Sequence, residues 1–273
     1  MSENCRDYRK RPIPDLSEAR ECRRISRSIP IAHDHPLSFE ELVDIRDYGI
    51  PGENYYHMEA DNPPYNGSIR HSIPHILVRK SVARRLLVVA ETLRLDIGAE
   101  PYGLDGYRDI RLQGYMFDEW MPEYVRVCHP DWDAERRDAE VRMFWAKGTD
   151  DVGRVNPLSP PPHSTGGAID FTIRSRRTGA ELNMGCGFDD FSCSHAAFLD
   201  HYETLRSAGK ILTLDEEEAL RNRRILYWTQ RREGFVLNPN EVWHAELYTK
   251  LWAAIYGEEF AYYPMAFAPF AYD

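Results

Sequence analysis

Two short stretches of this 273-residue chain concentrate side chains that could hold a metal ion and activate water. In PPHSTGGAIDF, His163 stands on a loop and Asp170 follows seven residues later; in NEVWHAE, Glu241 precedes His244 by three. Two neutral imidazoles and one carboxylate are a common protein ligand set for catalytic zinc, with a fourth position left for water. His163, Asp170 and His244 are therefore the candidate ligands of one zinc ion per chain. Spacing alone leaves Glu241 open as a fourth ligand. We assign it as general base, because an open zinc site needs a nearby carboxylate to take a proton from water. The charges agree: Zn2+ with two neutral imidazoles and one carboxylate keeps about one positive charge, which favours hydroxide near neutral pH. Attack on a carbonyl would create an oxyanion, and the permanently charged guanidinium of Arg108 is the candidate to meet it. The competing account is that these are ordinary polar residues in a chain with ten histidines.

These groups need elements to hold them. In AIDFTI, Ile169, Phe171 and Ile173 share one face, while Ala168, Asp170 and Thr172 share the other. A strand can therefore bury the apolar row and present Asp170 to a cleft. Gly166 and Gly167 allow the tight loop that folds His163 back toward that strand. Val82, Leu86, Val89 and Leu93 recur at helical spacing, so residues 80–97 form a core helix that Gly98 stops. A strand ending at Arg108 follows, then helical sequence from Asp109 to Val127 and a helix over Asp133–Trp145. Thr178-Gly179 reads as a turn into a second strand, Glu181–Met184. Thr213 and Glu216 read as a capping box for a long helix that Gly234 ends. NPNEVWHAELY is strand-like. The expected fold is α+β, a small and mostly antiparallel sheet with flanking helices. Residues 1–75, rich in Pro, Asp, His and Arg, read as an arm of loops and short elements wrapping a single domain over 1–273.

Composition excludes several classes. A hydrophobic fraction of 42% rules out whole-chain disorder. With 34 Lys+Arg against 44 Asp+Glu and a net charge of -10, the chain lacks a nucleic-acid footprint. No run approaches a membrane span, and no apolar leader follows the basic N-terminus. Cys5, Cys22, Cys128, Cys186 and Cys193 are odd in number and scattered, which suits free thiols and a cytoplasmic location. The sequon at Asn66 is then incidental. His33-Asp34-His35 lies in a proline-flanked loop and reads as solvated polar sequence. Cys186, Cys193 and His195 lack the close knuckle of a thiolate zinc site. The aromatic C-terminal stretch from Glu258 reads as core packing.

The same strings carry a resemblance. PPHSTGGAID and EVWH resemble the HxxGxAxD and ExxH motifs of the zinc D-alanyl-D-alanine peptidases, whose fold is shared with the Hedgehog signalling domain. DGYR at Asp105–Arg108 and MGCGFD at Met184–Asp189 are similar to the D-alanyl-D-alanine dipeptidase branch known from vancomycin-resistance clusters. The four motifs stand in family order across roughly residues 80–250. The resemblance implies zinc on His163, Asp170 and His244, Glu241 as base and Arg108 as stabiliser of the tetrahedral intermediate. It implies Asp189 as the residue that binds the free amino terminus of a small dipeptide substrate. Two positions depart from the family pattern. Pro161 stands where a substrate-binding serine is usual, which bears on substrate preference, and Asp109 follows Arg108 where proline is common. Before 75 the likeness is faint, limited to segments such as NYYHMEA with Asn54. The expected activity is zinc-dependent hydrolysis of D-Ala-D-Ala or a close relative. The alternatives are a carboxypeptidase or endopeptidase acting on cell-wall peptides and a zinc-containing binding module without catalysis; oligomeric state is open.

Overall fold

The computed structural model describes residues 5–149, 154–191 and 196–268. In chain order, its elements begin with α1 (Ser17–Ile25), β1 (Leu42–Asp44), β2 (Leu77–Arg79), α2 (Lys80–Ile97) and β3 (Ala99–Asp105). Helix α3 (Ile110–Tyr115) runs through a π turn at Met116–Trp120 into α4 (Met121–Cys128), and α5 (Ala134–Phe144) follows. The remaining elements are β4 (Ala168–Ser175), α6 (His201–Ser207), α7 (Leu214–Arg232), β5 (Val236–Leu237), β6 (His244–Glu246) and α8 (Lys250–Tyr256).

Helix α2 forms where the apolar period predicts it. Val82, Leu86, Val89 and Leu93 are fully buried, and Gly98 ends the helix in the left-handed region, its N–H donating to the Leu93 carbonyl. That stripe packs in one cluster with Ile169, Phe171 and Ile173 of β4. Truncating one such residue, Leu86→Ala for instance, typically costs about 2–5 kcal/mol. Helix α7 starts on the predicted capping box, with the Thr213 and Glu216 side chains satisfying each other's backbone N–H groups. A second cluster, built on Tyr56, Leu112, Met116, Met121, Val141 and Trp145, joins α3–α5 to the arm.

The four-stranded sheet has the order β3-β4-β6-β5 and is antiparallel throughout. Together with the flanking helices it makes the α+β class expected. Its register places Asp105 opposite Asp170 and Asp170 opposite His244, so one row across three strands carries three polar groups.

The structure corrects the sequence reading in three places. Strand β3 ends at Asp105, and Arg108 lies on the loop beyond it. The chain leaves the sheet at Gly106 because it crosses β2 there: a Cβ at this position would collide with the Leu77 carbonyl, to which Tyr107 N donates. Glu181–Met184 is no strand; Glu181 makes a single bridge to Arg174 before the chain turns at Gly185, whose N–H is held by Asn183 Oδ1. The arm also contributes a strand, since β1 pairs with β2 in a separate two-stranded sheet.

His35 caps the turn at Pro36–Phe39 and stacks on Tyr262. In the C-terminal stretch Tyr263 is buried and donates to Glu40. Cys193 and His195 lie outside the described residues, as does the chain after 268. Cys22, Cys128 and Cys186 are free thiols. Among the described residues, no helix is long and apolar enough to cross a membrane.

Candidate active site

Asp170 and His244 of that row line a cleft of about 660 Å3, with Asp105 fully buried beside Asp170. His163 reaches the same point from the turn before β4. A single helical turn, His163–Thr165, ends at Gly166 with φ +70°, where a Cβ would also meet the Leu42 side chain. Only glycine reverses the chain there without strain.

His163 Nε2 lies 3.1 Å from His244 Nδ1 and 3.2 Å from Asp170 Oδ2, and His244 Nδ1 lies 2.9 Å from Asp170 Oδ1. The far nitrogen of each imidazole is occupied. His163 Nδ1 is 2.7 Å from the Gly106 carbonyl, and His244 Nε2 is 3.0 Å from Glu246 Oε1. Glu246 is itself held by the Thr249 hydroxyl. A carbonyl or carboxylate partner fixes the proton on the far nitrogen, so in the neutral rings the near nitrogens turn lone pairs on each other and on Asp170. A cation between them, a ring proton or a metal ion, relieves the repulsion of those lone pairs.

The dimensions fit one. A tetrahedral zinc with ligand bonds of about 2.0–2.1 Å has ligand-to-ligand edges of about 3.3 Å, close to the three separations observed. The donor chemistry agrees, because Asp105, Asp170, Asp189, Glu241 and Glu246 gather in and beneath the cleft around a single buried arginine, Arg108. Buried negative charge of that density needs a compensating cation. The three residues named from the sequence as ligands are thus brought together, all of them buried.

Glu241 sits on the loop before β6, its Oε2 3.6 Å from His244 Nδ1 and outside the converging trio. Burial pushes its carboxyl up, while the charges of His244 and Arg23 oppose the shift. Burial would also raise Asp170, yet the two imidazoles outweigh it and hold that carboxyl well below its usual range.

Arg108 is buried beside the trio, with Nη2 3.7 Å from Asp170 Oδ2. Asp105 grips it at Nε and Nη2 (3.1 and 2.8 Å), Gln113 Oε1 accepts from Nη1 at 3.0 Å, and the rings of Tyr56 and Trp145 flank it. It is structurally tied and still faces the cleft.

Asp189 is buried on another wall, in the left-handed region at φ +49°. Its Oδ2 accepts from Tyr56 Oη at 2.7 Å and from Tyr65 Oη at 2.6 Å, and Oδ1 has no donor among the described residues. Burial pushes the carboxyl up to about 7 against the pull of both hydroxyls. A carboxylate oxygen left open in a cleft is a natural receptor for an ammonium group.

Sequence reasoning missed Asp105, Gln113, Glu246, Tyr56 and Tyr65. Glu246 carried a signal, since the two-residue period of β6 places it on the His244 face. Tyr56 lies in NYYHMEA, the arm segment with a faint family likeness, whereas Tyr65 carried no signal; they lie 133 and 124 residues from Asp189.

A family model described as D-ala-D-ala dipeptidase matches residues 75–265. A D-alanyl-D-alanine dipeptidase of Synechocystis sp. is 30% identical over 242 residues, covering 84% of this chain and 94% of the relative. Among solved structures there is slight likeness to the vancomycin-resistance D,D-pentapeptidase VanY, from a VanB-type cassette, in complex with Zn(II): 17% identity, TM-score 0.37, over 76% of this chain and 97% of the other. The LD-carboxypeptidase LdcB is similar at 18% identity and TM-score 0.36, over 81% of this chain and 74% of the other. With the matched segment spanning the whole sheet and both motif loops, this chain belongs to the D-Ala-D-Ala dipeptidase family of peptidases.

Proposed function

We propose that this protein is a zinc-dependent dipeptidase that hydrolyses free D-Ala-D-Ala or a closely related small dipeptide. The observation that carries the reading is the His163–Asp170–His244 trio, its near atoms 2.9–3.2 Å apart and its far nitrogens already bonded. Zinc bound there would supply Lewis acidity, polarising a carbonyl and making water a competent nucleophile near neutral pH. Glu241 takes the proton of the attacking water and returns it to the leaving amine. Arg108, locked by Asp105 and Gln113, presents a fixed positive charge to the oxygen that becomes negative and needs no reorganisation as the charge develops. Asp189 receives the substrate's ammonium on Oδ1, with Tyr56 and Tyr65 orienting the carboxylate through Oδ2. Because Tyr56 and Tyr65 reach the cleft from the first 75 residues, we read the chain as one catalytic domain with a wrapping arm.

Zinc content and D-Ala-D-Ala hydrolysis should be measured for wild type and Glu241→Ala. The expected outcome is one zinc per chain in both, with kcat lowered about 10²–10⁴-fold in the variant, the range for a lost general base. A zinc-loaded wild type that turns over no small dipeptide would overturn the enzyme reading in favour of a binding module. N-acetyl-D-Ala-D-Ala should be a poor substrate, whereas a carboxypeptidase would accept it.

A further inference from the structure

Beyond the matched family segment, helix α1 lays an arginine face against the mouth of the cleft. Arg20, Arg23, Arg24 and Arg27 recur at helical spacing, and all four line it. They are not equivalent. Arg20 is spent on Asp200, its Nη1 and Nη2 at 3.0 and 2.5 Å from the two carboxylate oxygens. Arg24 is paired with Glu21 on the exposed side, and Arg27 is exposed. Arg23 is half-buried, and among the described residues its guanidinium meets no carboxylate. Farther along the wall, Arg108 is held by Asp105, Arg142 by Asp138, and Lys250 Nζ donates to the carbonyls of Arg27 and Leu158.

The helix is anchored so that Arg23 keeps this position. Arg20 also reaches the Pro239 carbonyl at the start of the Glu241 loop, and Lys250 ties the turn after α1 to the proline-rich wall. Among the described residues, the cleft thus carries an Asp189 oxygen without a donor on one wall and, on the helix that Arg20 ties to the Glu241 loop, a guanidinium without a carboxylate.

We propose that Arg23 is a substrate-binding residue that receives the free C-terminal carboxylate of the dipeptide, so that Asp189 and Arg23 together measure a zwitterion with charges at both ends. This deepens the dipeptidase reading and rests on it. A half-buried guanidinium that meets no carboxylate among the described residues can take a carboxylate ligand through two parallel hydrogen bonds. Two fixed charges of opposite sign also reject longer peptides, which lack a free end at one or both sites.

The test compares D-Ala-D-Ala with its C-terminal amide, D-Ala-D-Ala-NH2, in wild type, Arg23→Gln and Arg23→Lys. A lost charge-assisted hydrogen bond corresponds to about 10- to 100-fold in binding. The wild type should prefer the free acid by that factor in kcat/KM. Arg23→Gln should raise KM for the acid by a similar factor and leave the amide unchanged, and Arg23→Lys should restore part of the preference. An unchanged acid-to-amide ratio in Arg23→Gln, or equal losses on both substrates, overturns the assignment. A zinc-loaded wild type that cleaves neither compound overturns the dipeptidase reading, and this inference with it.

Discussion

The two sides of the cleft are built on different principles. The side that we propose binds metal rests on the sheet, where adjacent strands put Asp105, Asp170 and His244 in one row. Backbone pairing sets those positions, and partners such as Gly106 O and Glu246 hold the rings. The side that we propose binds substrate is assembled from loops and the N-terminal arm: Asp189 from the loop after β4, Tyr56 and Tyr65 from the arm, Arg23 from α1. No ladder aligns these groups; they meet only because side-chain hydrogen bonds and the aromatic cluster around Tyr56 hold them. Precision in the chemistry and adjustability in substrate choice are thus carried by separate parts of the fold.

Substitutions should separate the two sides. His244→Ala should abolish stoichiometric zinc and lower kcat/KM by more than about 10³-fold, since both the ligand and the chemistry depend on it; metal analysis by mass spectrometry alongside an amine-release assay reads both. Glu246→Gln leaves the ligands in place and removes only a ring-orienting carboxylate, so zinc affinity should fall about 10- to 100-fold in a chelator competition. Asp189→Asn should raise KM for D-Ala-D-Ala about 10-fold or more with zinc content unchanged. Loss of zinc in that variant would show that the two sides are not separable. Tyr65→Phe, which deletes one of two hydroxyls on Asp189, should cost about 2- to 10-fold in KM.

Asp189 also predicts a pH signature. Its carboxyl, raised to about 7, must be ionised to receive an ammonium, so KM should rise as pH falls below about 7 and Asp189→Asn should flatten that limb. The stability sign is the opposite. A carboxyl whose folded value lies above its ordinary 3.8 contributes stability that is full below 3.8 and lost as pH rises through about 7. Asp189→Asn should therefore have the higher Tm at pH 8, with the difference narrowing as the pH falls below 7. A scanning calorimetry series across that range checks it, and a variant less stable than wild type at pH 8 would contradict it.

Much of the scaffold was legible because it is local. The α2 stripe with its Gly98 stop and the Thr213 capping box depend on residues within one or two turns of each other. The expected strand at Glu181–Met184 failed because its pairing is decided elsewhere: the Asn183–Gly185 turn bends the chain off after one bridge. The β1–β2 pair was invisible for the converse reason, since three-residue strands separated by 32 residues leave no periodicity to read.

The site divides along the same line. Sequence alone determined which residues had the chemistry to bind a metal and move a proton, because donor type and loop glycines are local properties of PPHSTGGAID and EVWH. Only the tertiary structure decided which partners the His163 and His244 ring nitrogens meet, the Asp105–Arg108 lock, the two tyrosines on Asp189 and the approach of Arg23. Each of these depends on which distant groups share a buried volume, where desolvation makes every unpaired charge costly and every partner consequential.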